Sequence, residues 1–230
     1  MKRRLSKLAL LLLLVVPIAC FADSLDRIVA TVNHQPILSS DVDDESHFEA
    51  LQQGKAPSAL DDERRGVLGR VIQRELICQQ MPATFEPSAG AVDAQVNELR
   101  AQFPAVRSDA QWNELLASYN FSAQGIRDFV TLQMKVVHFL DLRLRPTVRV
   151  DREEVGDYYS NKLVPQLKAA GATIDPIDKV RSQIEEVLLQ QKMSEVFNAW
   201  IANLKSQGNI QFLDPDLAPP VAEKPVSSTP

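Results

Sequence analysis

Glycine, histidine, cysteine and aromatic side chains are all scarce in these 230 residues, and each shortage closes off a kind of chemistry. The eight glycines are scattered, so there is no glycine-rich loop to cradle a phosphate and no nucleophile elbow to mount a serine. The three histidines, His34, His47 and His138, fall in separate predicted elements without metal-ligand spacing, and each reads as a surface or cap residue. Cys20 and Cys78 form no Cys-x-x-Cys pair. Adjacent acids do occur, at Asp43-Asp44, Asp61-Asp62-Glu63 and Glu153-Glu154. They lie in first turns of predicted helices, where carboxylates complement the helix dipole. No residue is thereby nominated as catalytic or metal-binding, and no cofactor is implied.

Basic charge is also in deficit, and the deficit deepens once the first residues are set apart. MKRRLSK is cationic, and the apolar run from Leu8 to Ile18 is short of the ~20 residues a membrane span needs. This pattern predicts a signal peptide over residues 1–22, cleaved after Ala22. An alternative makes Cys20 a lipidated N-terminus and the product a lipoprotein, because Ile18-Ala19-Cys20 holds part of a lipobox, although Pro17 stands where an aliphatic residue is expected. Loss of Lys2, Arg3, Arg4 and Lys7 leaves 21 basic against 30 acidic side chains, a net charge of −9. That balance argues against nucleic acid as a partner and against anionic membrane surfaces. With Cys20 gone no intramolecular disulfide is possible, and Cys78, beside Leu76 and Ile77, is expected to be buried. A reactive thiol has no nearby histidine to support it.

The remaining pattern is mostly helical. Residues 25–38, LDRIVATVNHQPIL, read as a β-hairpin turning at Asn33-His34-Gln35-Pro36. A lone hairpin is marginal and needs a third strand, and the other convincing strand is NIQFL, residues 209–213. The two ends of the chain are therefore expected to meet in one small sheet. Between them, Ser40 is expected to cap a helix, with Asp43 closing a capping box, that stops at Gly54. Helices follow over 61–81, with Val67, Leu68, Val71, Ile72, Leu76 and Ile77 on one face, over 91–103, and around Trp112. The helix opening at Ser122 carries Ile126, Phe129, Val130, Val137, Leu140 and Leu144, and Asp151 caps a shorter one. Residues 214–230, with five prolines after Leu213, are expected to form a disordered tail.

No glycine or proline interrupts residues 178–207, so a helix about 45 Å long is expected there, with Asp178 as N-cap and Gly208 as stop. Its apolar positions change sides. Val180, Ile184, Val187 and Leu188 share one face; Leu189, Met193, Val196, Phe197, Trp200 and Leu204 lie nearly opposite. Such a helix touches two bodies, or one body that wraps around it, unless it is an ordinary core helix with its register misread.

LDRIVATVNHQPILSSDV at the start, VDREEVGDYYSNKL after the middle helices and VRSQIEEVLLQQKMSEVFNAWIANLKSQGNIQFL near the end together resemble SurA-type periplasmic chaperones. The resemblance covers essentially the whole chain between the leader and the tail. It implies a helical chaperone domain over 23–150, a connecting arm and linker over 151–177, and a helix and strand over 178–213 that return to complete the first domain. Parvulin-type prolyl isomerase domains are usually inserted in that family. Here only VPQLKAAGATIDPI is left for the slot, far short of the ~50 residues a domain needs. It contains no histidine, cysteine or aromatic residue.

The resemblance thus implies an ATP-independent holdase in the periplasm, not an enzyme, that binds unfolded polypeptides, outer-membrane protein precursors among them. The alternatives are a prolyl isomerase of the SurA/parvulin type and an envelope assembly adaptor for one specific partner. Phe103, Trp112, Tyr119 and Phe121 cluster around short helices and loops and are the candidate client contacts, against the alternative that they fill the core.

Overall fold

The structure is a computed structural model that describes residues 26–56, 61–82 and 85–219. The expected signal peptide, with its expected cleavage site and Cys20, lies outside the described residues, as does the chain from residue 220.

Strand β1 (Ile28–Val32) and strand β2 (Gln35–Leu38) form an antiparallel hairpin whose two-residue turn is Asn33-His34. Both turn residues have positive φ, 51° and 72°, the combination whose twist matches that of the flanking strands. A bulge between Ile28 and Ala30 breaks strict alternation, so Val29 and Ala30 are both buried while Ile28 faces outward. Strand β3 (Ile210–Phe212) adds to the other side of β1, giving the order β2-β1-β3. Val32 pairs with Ile210 and Ala30 with Phe212, so the expected meeting of the chain's two ends is present. Pro36 sits on an edge strand, where its missing N–H costs little.

Helix α1 (Ser39–Gln53) follows β2 without a loop, and its cap differs from the expected one. The N-cap is Leu38, whose N–H donates to the Asp41 carboxylate at 2.8 Å, while the Ser40 hydroxyl is taken by Asp26. Direct entry from the strand moves the first turn forward and leaves Ser40 inside the helix. Gly54, at φ 62°, ends α1 in the left-handed conformation glycine tolerates.

Helix α2 (Asp61–Cys78) lies beneath the sheet, with Leu68, Val71, Ile72 and Leu76 packed against Val29, Val32 and Ile37. Helices α3 (Ala89–Ala101), α4 (Asp109–Ser118) and α5 (Ala123–Leu144) are capped by the side chains of Ser88, Ser108 and Ser122. They build a second core with α1 around Phe48, Leu51, Leu116, Ile126 and Phe129. Beyond Val130 the buried face of α5 turns: Val136 is covered by Ile77 and Ile201, whereas Val137, expected on the apolar face, is 63% exposed. The reason is a change of neighbour, because α5 leaves α3 and α4 and meets α2 and the last helix.

The arm is helix α6 (Arg152–Tyr158), a wider π turn over Tyr159–Leu163, and helix α7 (Val164–Ala169). Pro165, which lacks an N–H and crowds the carbonyl four residues earlier, stands just after that widened turn, with only Val164 between. Asp151 and Glu154 form a reciprocal capping box at the start of α6. Between Ala169 and the next helix there is only a short loop, held by the Tyr159 hydroxyl donating to the Asp175 carbonyl at 2.8 Å.

Helix α8 (Ile177–Gln207) begins after Pro176, so Asp178 stands inside its first turn and pairs with Arg181 instead of capping. As its changing apolar face predicts, α8 meets two bodies. Its first half packs on α6, where Ile184 and Val155 are buried; its second half places Ile201 against α2 and α5.

The expectation of disorder from residue 214 fails at its start. The Asp214 carboxylate is buried and pairs with Arg27 at 2.7 Å, and Leu217 is buried in the core under the sheet. A single leucine followed by prolines carries no periodicity, yet it fills a gap beside α2.

Candidate binding cleft

The sequence-nominated contacts are core residues. Trp112, Tyr119 and Phe121 are buried among α1, α3, α4 and α5, and Phe103 is half-buried against the same cluster, 6.4 Å from the Trp112 ring centroid. Three of the four are thus spent on the core and Phe103 keeps part of its surface, because α4 and the turns after α3 and α4 fold these side chains onto the cluster around α5.

Exposed apolar surface lies instead along α5. An open cleft of about 750 Å³ runs between α1 and α5, walled by Phe48, Val130, Met134 and Val137, with Phe85 at one end. Phe48 is fixed from behind, its ring 4.4 Å from that of Phe129. Phe85 comes from the segment between α2 and α3 and stacks on His138, with 3.7 Å between ring centroids and an interplanar angle of 19°. On the far side of this stack a second cavity of about 280 Å³ is lined by Cys78, Met81, Lys135, Phe139 and Leu142. Leu142 is 62% exposed.

The charges around the cleft are paired. Glu45, buried at its edge, binds the Arg74 guanidinium, which lies 5.3 Å over the Phe129 ring. Burial pushes the Glu45 carboxyl up, and Arg74 opposes this without overcoming it. Glu49 receives Arg70 through both carboxylate oxygens, and Asp141 accepts from Arg145 at 2.7 Å. Gln52, Gln95 and Gln133 also line the cleft, and their amides are not engaged by other described residues. The surface is thus apolar at its floor, neutralised at its rim, and supplied with free amides able to donate and accept.

Burial, with Glu75 adding, raises the Cys78 thiol above its usual range, so the thiol stays protonated; the residue is half-buried, where full burial was expected. Of the histidines, His34 occupies the hairpin turn as read. His47 and His138 are half-buried helix residues, and the ring stack of His138 gives it a role beyond that of a surface residue. Among the described residues no three His, Cys, Asp or Glu side chains are placed to hold a metal, and no helix is long and apolar enough to cross a membrane.

Phe85, Met134, Val137 and His138 were not singled out by the sequence as contacts. The one available signal was Phe85 itself, an aromatic residue in a loop bracketed by Pro82 and Pro87. No protein-family model and no curated protein matches this chain.

Proposed function

We propose that this protein is an ATP-independent chaperone of the SurA kind, working in the periplasm without parvulin domains, that holds unfolded polypeptides, including outer-membrane protein precursors. The observation that carries the reading is the cleft on α5: an open trough in which exposed Val137 and half-buried Met134 offer apolar surface over the buried Phe48 and Val130, beside unengaged glutamine amides. Unfolded β-barrel precursors expose apolar side chains at every second position along an unpaired backbone. The floor takes the side chains, and the amides meet the backbone groups that water would otherwise satisfy. Apolar contact over so small a patch is weak and reversible, which lets a carrier release its load without an energy source. The resemblance in LDRIVATVNHQPILSSDV and in the α8–β3 stretch points the same way.

The purified protein should suppress aggregation of a urea-diluted porin at near-stoichiometric ratios without ATP. Val137→Asp, at a position that no core needs, should remove most of that effect while leaving the melting temperature unchanged. Unaltered porin aggregation in the presence of the wild-type chain would sink the reading. Acceleration of cis–trans conversion in a proline peptide would favour the isomerase alternative, and a single stable complex in a pull-down would favour the adaptor.

A further inference from the structure

We propose that Phe85 and Glu86 are a built-in ligand: this segment lays a ring and a carboxylate into the position an incoming polypeptide would take, and the cleft opens to its full length only when the segment leaves. The inference rests on the binding reading above and adds what controls access to the site.

Phe85 is the partition between two cavities. The cleft of about 750 Å³ and the cavity of about 280 Å³ share Phe85 and His138 in their walls and diverge on either side of them. With the ring withdrawn, α5 would offer one trough from Val130 to Leu142, exposing the imidazole of His138 midway.

The fold makes little use of this ring. Phe85 belongs to none of the three core clusters, whereas Phe48, its neighbour across the cleft, is only 6% exposed and packed into one of them. A large aromatic side chain held outside the core, and stacked flat on another ring, is placed as a ligand is placed. The tether is equally light. Glu86 pairs with Lys135 on α5, but its side chain is 68% exposed, and ion pairs of that kind contribute little. Among the described residues, no backbone hydrogen bond ties residues 85–87 to the rest of the protein. Ring stack and ion pair together fix one register on α5, with His138 taking the aromatic group and Lys135 the acid one turn away. Because the segment is part of the same chain, its effective concentration at the site is high, and a client has to displace it.

The test uses the full chain with two probes, anilinonaphthalene sulfonate and the unfolded porin, and the variants Phe85→Ser and Glu86→Gln. If the segment occupies the site about nine-tenths of the time, F85S should tighten porin binding by roughly tenfold, since apparent affinity scales with the open fraction. E86Q, which touches no core residue, should tighten it about twofold, in line with an exposed pair. Dye fluorescence should rise in both variants in the same order. Weaker porin binding by F85S, as expected of V137D, would make the ring part of the binding surface and overturn the proposal. Unchanged dye and porin binding in both variants would overturn it as well. A rise in dye binding with no porin binding by any form would uphold the displaced segment and sink the client reading alone. Should F85S lose its folded circular dichroism, E86Q carries the test.

Discussion

Asn33 and Asn209 hold each other reciprocally across 176 positions of sequence. The Asn33 backbone N–H donates to the Asn209 carbonyl at 2.9 Å, and the Asn209 N–H donates to the Asn33 side-chain oxygen at 2.8 Å. The Asn33 amide nitrogen also donates to Gln79 at 2.7 Å, just past the end of α2. One side chain in a tight turn thus ties the hairpin, α2 and the strand that follows α8. Asn33→Ala should cost about 2 kcal/mol, from the lost bonds and from a positive φ that alanine resists. Asn33→Gly keeps the backbone freedom and should cost about 1 kcal/mol. Urea unfolding measures both, and hydrogen exchange at Leu213, whose N–H binds the Val29 carbonyl, should quicken in each.

Of the three arginines of α2 that pair with α1, Arg70 and Arg74 should behave differently. Arg74 and Glu45 are both largely buried, so Arg74→Ala strands a carboxylate and should cost about 3 kcal/mol. Arg70 and Glu49 are much more exposed, and Arg70→Ala should cost less than about 1 kcal/mol. Equal losses in thermal unfolding would mean that burial does not separate the pairs.

Glu45 should also write itself into the pH dependence of stability. Burial raises its carboxyl in the folded state, so the folded protein binds that proton more tightly than the unfolded chain does. Its contribution therefore favours folding as pH falls from neutrality toward the ordinary carboxylate range, and disfavours it above the raised value. Compared between about pH 7 and about pH 4.5, the wild type should gain stability relative to Glu45→Gln. A relative loss over that interval would show Arg74 outweighing burial.

Gly54 and Gly208 are required for unrelated reasons. Gly54 has open space around it but φ 62°, so Gly54→Ala should cost about 1 kcal/mol and Gly54→Asn less. Gly208 has an ordinary φ of −77°, yet an added Cβ would meet the Leu204 carbonyl at 3.1 Å and a Leu76 methyl at 3.2 Å. Gly208→Ala should cost about 1–2 kcal/mol, and Gly208→Asn more, because the larger side chain worsens the crowding. Melting temperatures of the four variants separate strain from contact.

Leu217 tests where the folded body ends. Its side chain is buried beside α2 and the sheet, so Leu217→Ala should cost about 3 kcal/mol. A change below about 0.5 kcal/mol, the size expected at a surface position, would restore the boundary at residue 214.

Much of the architecture was legible from local pattern. Ile28–Val32 and NIQFL carry strand spacing at opposite ends, and a hairpin lacking a third strand leaves few other ways to satisfy both. The shift of apolar positions from Ile184 to Ile201 announced two partners for α8, because helical periodicity fixes the angle between side chains. Ser122 and Asp151 marked helix starts, because a cap needs only groups within three residues. Which way an apolar residue faces is another matter. Val136 and Val137 are adjacent and chemically identical, and only the arrival of Ile77 and Ile201 from distant parts of the chain buries the first and leaves the second on the cleft. Trp112 and Phe121 went inward and Phe85 stayed out for the same reason. Caps, turns and periods are set by interactions a few residues long and can be read in one dimension. Burial depends on what packs from elsewhere, so the cleft took its form only when the chain closed on itself.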